Sequence, residues 1–84
     1  MKVDMHKLGR RIAATRELRD LTQKELAERA GLTQVTIARL EKAKTPQVSL
    51  ETIVAIAEML GVSVDYLIGK DPHSELLPAA MATR

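Results

Sequence analysis

Start and stop signals for short helices recur along this chain, and they leave little room for any other architecture. Met5, Leu8, Ile12 and Thr15 follow helical spacing, so residues about 5–19 read as an amphipathic first helix. Thr22-Gln23-Lys24-Glu25 reads as a capping box: Thr22 caps the helix and Glu25 reaches back to it. The second helix opened there runs to about Ala30 and stops at Gly31, a residue suited to the left-handed conformation that ends helices. Thr33 caps a third helix reaching about Lys42. Residues 43–48 form a loop in which Pro46 biases Thr45 toward an extended backbone. Ser49 caps a fourth helix that ends at Gly61, and Ser63, with Asp65 in the first turn, starts a short fifth ending at Gly69. No strand, repeat or low-complexity tract is legible, so the fold class is all-α, five short helices.

The same pattern assigns faces. Leu26, Ala27 and Ala30 point one way on the second helix, and Ile37, Leu40 and Glu41 share a face on the third. The expected buried face of the fourth is Leu50, Ile53, Val54, Ala57 and Leu60. With a single tyrosine as its only aromatic residue, the chain must build its core from aliphatic side chains. Its 84 residues suffice for one compact domain and are too few for two. After Gly69 the periodicity fades: residues 70–84 read as a C-terminal tail with Leu76, Leu77 and Met81, either lying on its own domain or stabilising a dimer.

Several function classes drop out. The chain has no cysteine, so disulfides and thiolate metal sites are excluded. Neither histidine, His6 or His73, sits at zinc-ligand spacing with another donor, so no metal and no cofactor is expected. Nothing resembles a nucleophile with its base, a phosphate loop or paired catalytic carboxylates, which argues against an enzyme. The longest apolar stretch, Ile53–Leu60, is interrupted by Glu58 and too short to span a bilayer. Lys2, Asp4, Lys7 and Arg10 make the first ten residues unlike a signal peptide, so the expectation is a soluble, cytoplasmic protein with no membrane partner. The net charge of +2 conceals an asymmetry. Residues 1–48 hold eleven Lys and Arg against six acids, +5, whereas residues 49–84 hold two bases against five acids, −3. A basic first part suits a surface that faces a polyanion.

The most informative stretch is Leu21–Glu41. Two helices meet through a tight turn at Gly31-Leu32, with the small Ala27 where they must cross closely, which is the helix-turn-helix pattern, residues 22–42. A plain helical hairpin would impose no particular chemistry on the outer face of the third helix. Here that face carries Gln34, Val35, Ala38, Arg39 and Lys42: two good base readers among small and apolar groups, and no carboxylate.

Residues about 6–69 resemble the lambda-repressor-like, or Cro/XRE-type, helix-turn-helix domains. The resemblance rests on Leu-Thr-Gln-Lys-Glu-Leu-Ala at 21–27, Gly31-Leu32-Thr33, Ile37-Ala38-Arg39-Leu40-Glu41, and the later run from Ser49-Leu50-Glu51-Thr52 to Val64-Asp65-Tyr66-Leu67. It implies a compact five-helix DNA-binding domain over residues 1–69 and a transcriptional regulator, a repressor, that binds double-stranded DNA as a homodimer on a palindromic operator. Thr33, Gln34, Val35 and Arg39 would then contact bases. Gln34 suits adenine N6 and N7, Arg39 suits guanine O6 and N7, and Val35 suits a thymine methyl. Gln23 matches a position that grips phosphate at a helix N-terminus, and Thr36, Lys42 and Lys44 would reach phosphates beside the same groove. Arg16 and Glu41 match two positions that form a partly buried ion pair, making Arg16 structural; Glu41, sharing the inward face, needs such a partner in any case. Dimer contacts are expected from exposed apolar residues after Leu60, namely Val62, Val64, Tyr66 and Leu67. With no separate effector domain, no small-molecule ligand is expected. The rival reading is a protein-interaction module that keeps the fold but binds a partner, as an antitoxin binds a toxin. One departure stands out: where these domains usually carry glycine after Glu41-Lys42, this chain has Ala43. Either alanine takes a left-handed conformation at roughly 1 kcal/mol relative to glycine, or the third helix runs longer.

Overall fold

Each helix begins where a short polar side chain supplies the hydrogen bond that its first backbone N–H groups lack. The computed structural model describes residues 3–69, which form α1 (Met5–Leu18), α2 (Gln23–Ala30), α3 (Gln34–Glu41), α4 (Leu50–Leu60) and α5 (Val64–Ile68) and no strand. The capping box stands as the sequence reads: the Glu25 N–H donates to Thr22 Oγ1 at 3.0 Å, and the Thr22 N–H donates to Glu25 Oε1 at 2.8 Å. The bond from the Thr22 N–H, helped by the Thr22 hydroxyl, holds the Glu25 carboxyl below its ordinary pKa. Thr33, Ser49 and Ser63 cap α3, α4 and α5. Asp4, which the spacing of apolar residues does not single out, caps α1 by accepting from the His6 and Lys7 N–H groups. Gly31, Gly61 and Gly69 end α2, α4 and α5 at φ 72°, 72° and 80°. Residues 70–84, the expected tail with His73 in it, lie outside the described residues.

The core is aliphatic. Leu8 and Ile12 of α1, Leu26 of α2, Ile37 and Leu40 of α3, and Ile56 and Leu60 of α4 lose all or nearly all contact with solvent. α1 packs against α3 and α5 and more lightly against α4, while α2 packs against α3 and α4. Two expectations need correction. On α4 the buried set is Ile53, Ile56, Ala57 and Leu60, whereas Leu50 is 70% exposed and Val54 36%. Helical spacing alone allows two overlapping stripes on a helix this apolar, and contact with α2 and α5 selects the one through Ile56. On α5, Leu67 is not an exposed dimer contact but fully buried, because the short helix is wedged between α1 and α4; Val62, Val64 and Tyr66 pack partly against the same core. Ala30 is only partly buried.

Two backbone positions govern where α3 ends up. Gly9, inside α1, is buried against the end of α3: a Cβ added there would overlap the Leu40 carbonyl oxygen and lie 2.8 Å from the Glu41 carbonyl oxygen. Ala43 takes the left-handed conformation, φ 55°, so α3 stops at Glu41 and does not run longer. The turn closes with the Ala43 N–H donating to Leu40 O at 3.1 Å and the Lys44 N–H to Arg39 O at 2.8 Å. Asp20, between α1 and α2, is also left-handed at φ 57°, a conformation that its side chain tolerates better than alanine does.

These positions give opposite predictions for glycine and alanine. Ala43→Gly relieves the backbone and should raise stability by about 1 kcal/mol, some 4–8 °C in melting temperature for a domain this size. Gly9→Ala would gain at most about 1 kcal/mol of helix propensity. The clash is with backbone that has nowhere to move, at about 1–3 kcal/mol, so the protein should be destabilised. Thermal melts of both variants check this, and a stabilised Gly9→Ala would contradict the close approach.

Candidate nucleic-acid interface

α2 and α3 meet through a turn set by three local features. Gly31 supplies the positive φ, the Leu32 N–H closes the turn on the Ala27 carbonyl at 2.8 Å, and Ala27, 2% exposed, lets the helix axes approach. α3 then presents one face to the core through Ile37 and Leu40 and the other to solvent. Its eight residues span about 12 Å, close to the width of a B-DNA major groove. Gln34, Val35 and Arg39 are exposed together there, Val35 at 59%, and neither Gln34 nor Arg39 has a hydrogen-bond or ion-pair partner among the described residues. Val35 and Arg39 stand one turn apart, which puts their Cβ atoms about 5–6 Å from each other. Thr33 is exposed too, but its hydroxyl already caps α3 by accepting from the Thr36 N–H at 3.2 Å and pairs with the Thr36 hydroxyl at 3.0 Å. Lys42 and Lys44 are exposed on either side of the left-handed Ala43.

Behind this surface lies the ion pair that the sequence led us to expect. Arg16 Nε donates to Glu41 Oε2 at 2.7 Å and Nη2 to Oε1 at 3.1 Å, with the side chains 12% and 7% exposed. The hydrogen bond to Glu41 raises the Arg16 pKa against the opposing effect of burial. Arg16 Nη1 also donates to the Leu21 carbonyl at 2.8 Å, just before the α2 cap. Gln23, the expected phosphate contact, is drawn into the same cluster: its Nε2 donates to Glu41 Oε1 at 3.0 Å. Neither the Leu21 nor the Gln23 bond has a signature in the spacing of residues.

Two further arginines, Arg11 of α1 and Arg19 just after it, are also engaged. Arg19 Nε donates to the Leu60 carbonyl at 3.0 Å, at the C-terminus of α4 where positive charge is favoured. Arg11 lies over the Tyr66 ring, 4.7 Å from its centre, and donates to the Tyr66 carbonyl. Sequence reasoning missed both, along with Gly9. Only Gly9 left a clue, as a glycine between Leu8 and Ile12 on the inward side of a helix, where glycine is otherwise unfavourable. Among the described residues no three His, Asp or Glu side chains converge on a possible metal position, and no helix is long and apolar enough to cross a membrane.

Five helices with a tight α2–α3 turn and an unpaired polar face on α3 define a helix-turn-helix domain. The chain belongs to the helix-turn-helix family of the Cro/C1 type, whose family model matches residues 12–67. It is 39% identical over 64 residues to the immunity repressor protein of Bacillus phage phi105, covering 76% of this chain and 44% of that protein. It is 32% identical over 69 residues to the helix-turn-helix-type transcriptional regulator ImmR of Bacillus subtilis (strain 168), covering 81% of this chain and 53% of that protein. The chain thus spans about half the length of these curated relatives. Among solved structures, the P22 c2 repressor protein in complex with a synthetic operator superposes with a TM-score of 0.70 at 31% identity, covering 76% of this chain and 96% of that one.

The two arginines test the site's framework. Arg16→Ala strands the Glu41 carboxylate at 7% exposure and should cost about 3–5 kcal/mol. Arg19→Ala loses one bond from an exposed side chain to a helix end, about 1 kcal/mol. Denaturant titration should separate the two clearly, and equal small effects would rule out a structural role for the ion pair.

Proposed function

We propose that this protein is a sequence-specific DNA-binding transcriptional regulator, a repressor, that reads an operator with α3 in the major groove. One observation carries the reading: Gln34, Val35 and Arg39 form an exposed, carboxylate-free face on a helix whose opposite face is locked into the core. Gln34 and Arg39 offer bidentate geometry to base edges, Val35 offers an apolar contact to a thymine methyl, and Thr33 stands exposed beside them at the start of α3. Gln23, Thr36, Lys42 and Lys44 hold the phosphates on either side. The operator-bound P22 repressor and the phage immunity repressor, as relatives, support the same reading. Residues 1–69 act as the DNA-binding domain.

We further assign a homodimer on a palindromic operator. One short reading helix buries little DNA surface, and two half-sites in one binding event multiply both affinity and selectivity. The partly buried Val62, Val64 and Tyr66 are the contacts left for this role once Leu67 is assigned to the core. A second reading, a module that binds a protein partner, draws on the exposed Leu50 and Met59 of α4 beside Glu51 and Glu58. Selection from a random DNA pool separates the two, since a protein-binding module enriches no sequence.

On an enriched operator, Gln34→Ala and Arg39→Ala should each cost about 1–3 kcal/mol at particular base positions, with binding to scrambled DNA nearly intact. Lys42→Ala and Lys44→Ala should weaken operator and scrambled DNA alike and flatten the log–log salt dependence by about one unit each. Titrations at several salt concentrations check the division. If Gln34→Ala and Arg39→Ala lowered both kinds of binding by one common factor, α3 would not be the reading helix. In sedimentation, the protein with operator should run as two chains per duplex, and a single chain at saturating protein would refute the homodimer.

A further inference from the structure

Gln23 carries two amide hydrogens, and Glu41 accounts for one of them. The Glu41 carboxylate can only accept, so the Gln23 amide must turn its Nε2 toward Oε1, at 3.0 Å, and its own oxygen away. Glu41 in turn has no freedom to follow Gln23. Both of its oxygens are held by Arg16, at 2.7 and 3.1 Å, and the pair is nearly buried. Arg16 is further fixed to the Leu21 carbonyl at 2.8 Å, so the reference frame includes the segment that leads into α2. The second Gln23 amide hydrogen has no partner among the described residues. Beside it, the capping box takes up the Glu25 N–H and leaves the Gln23 and Lys24 N–H groups at the start of α2 unbonded. A freely rotating glutamine would present its oxygen to an anion as readily as its nitrogen; here the nitrogen is anchored on Glu41 and keeps one N–H available to donate.

We propose that Glu41 is a positioning residue for DNA-phosphate binding: its carboxylate fixes the Gln23 amide so that the second N–H donates to a backbone phosphate oxygen. The last residue of the reading helix thereby sets the phosphate grip at the start of α2, and register and reading move as one unit. This rests on the DNA-binding reading above and gives Glu41 a role beyond stability.

Two measurements test it. In the free, unmodified protein, side-chain 15N relaxation should show the Gln23 amide about as ordered as the backbone, with Gln34 far more mobile; a Gln23 amide as mobile as that of Gln34 overturns the proposal. The second measurement uses the enriched operator with single neutral methylphosphonates placed in turn along each strand. One position should weaken the unmodified protein about tenfold, the scale of a hydrogen bond to a charged group, and leave Gln23→Ala unaffected. Glu41→Gln, which lets the amide turn over, should lose the sensitivity at that same position and keep the base preferences set by Gln34 and Arg39. If Glu41→Gln does not fold, Glu41→Asp keeps the charge beside Arg16 but withdraws it from Gln23, and the same loss is expected. Undiminished sensitivity in the folded variant overturns the role of Glu41. A scan in which no phosphate distinguishes Gln23→Ala from the unmodified protein also overturns it, while leaving readout by α3 standing. Failure of the DNA-binding reading looks different: no sequence is enriched at all.

Discussion

The carboxylate of Glu41 is the point through which the rest of the structure is aligned. Almost buried, it would be costly without a cation, and Arg16 meets it with two hydrogen bonds. Such a pair adds little net stability over a well-packed apolar pair; what it adds is geometry. Its bonds reach α1 through Arg16, the entry to α2 through Leu21 and the start of α2 through Gln23, while Glu41 itself ends α3. Gly9 performs the complementary task on the backbone side, letting α1 touch the last carbonyls of α3. Between the ion pair and the glycine contact, the third helix has one permitted position.

That arrangement changes how the charge of the chain is understood. The basic excess of residues 1–48 suggests a broad positive surface, yet several of these cations are engaged in contacts within the protein. Arg16 is paired, Arg19 binds the end of α4, Arg11 lies on Tyr66, and the Lys7 stem occupies the space beside Gly69. The cations left exposed on the helix-turn-helix and just after it are Lys24, Arg29, Arg39, Lys42 and Lys44. Fewer cations are therefore free at the surface than the count implies.

Ala43 shows strain accepted for placement. Helix α3 could extend if Ala43 stayed helical, and the backbone would be more comfortable. Instead the chain turns left-handed at φ 55°, closed by the bonds of the Ala43 N–H to Leu40 O and the Lys44 N–H to Arg39 O. Leu40 also packs in the core, so the turn is anchored by burial on one side and by hydrogen bonds on the other.

The amino-acid sequence by itself determined the local structure: where helices start and stop, which turn joins α2 to α3, and that Gln34, Val35 and Arg39 share an outward face. Caps, left-handed glycines and helical periodicity act over a few residues, so they are legible without knowing what lies across the molecule. The Arg16–Glu41 pair was legible as well, through a buried-side carboxylate that demanded a partner and a resemblance that named one. Tertiary packing decided what local rules leave open. It chose the Ile56 stripe of α4 over the one through Leu50, placed Leu67 in the core, joined Arg11 to the Tyr66 carbonyl and Arg19 to the Leu60 carbonyl, and turned the Gln23 amide toward Glu41. Each of these depends on which atoms from distant parts of the chain come within 4 Å. A helix can offer several apolar stripes and a long polar side chain several rotamers, so only the neighbours select among them.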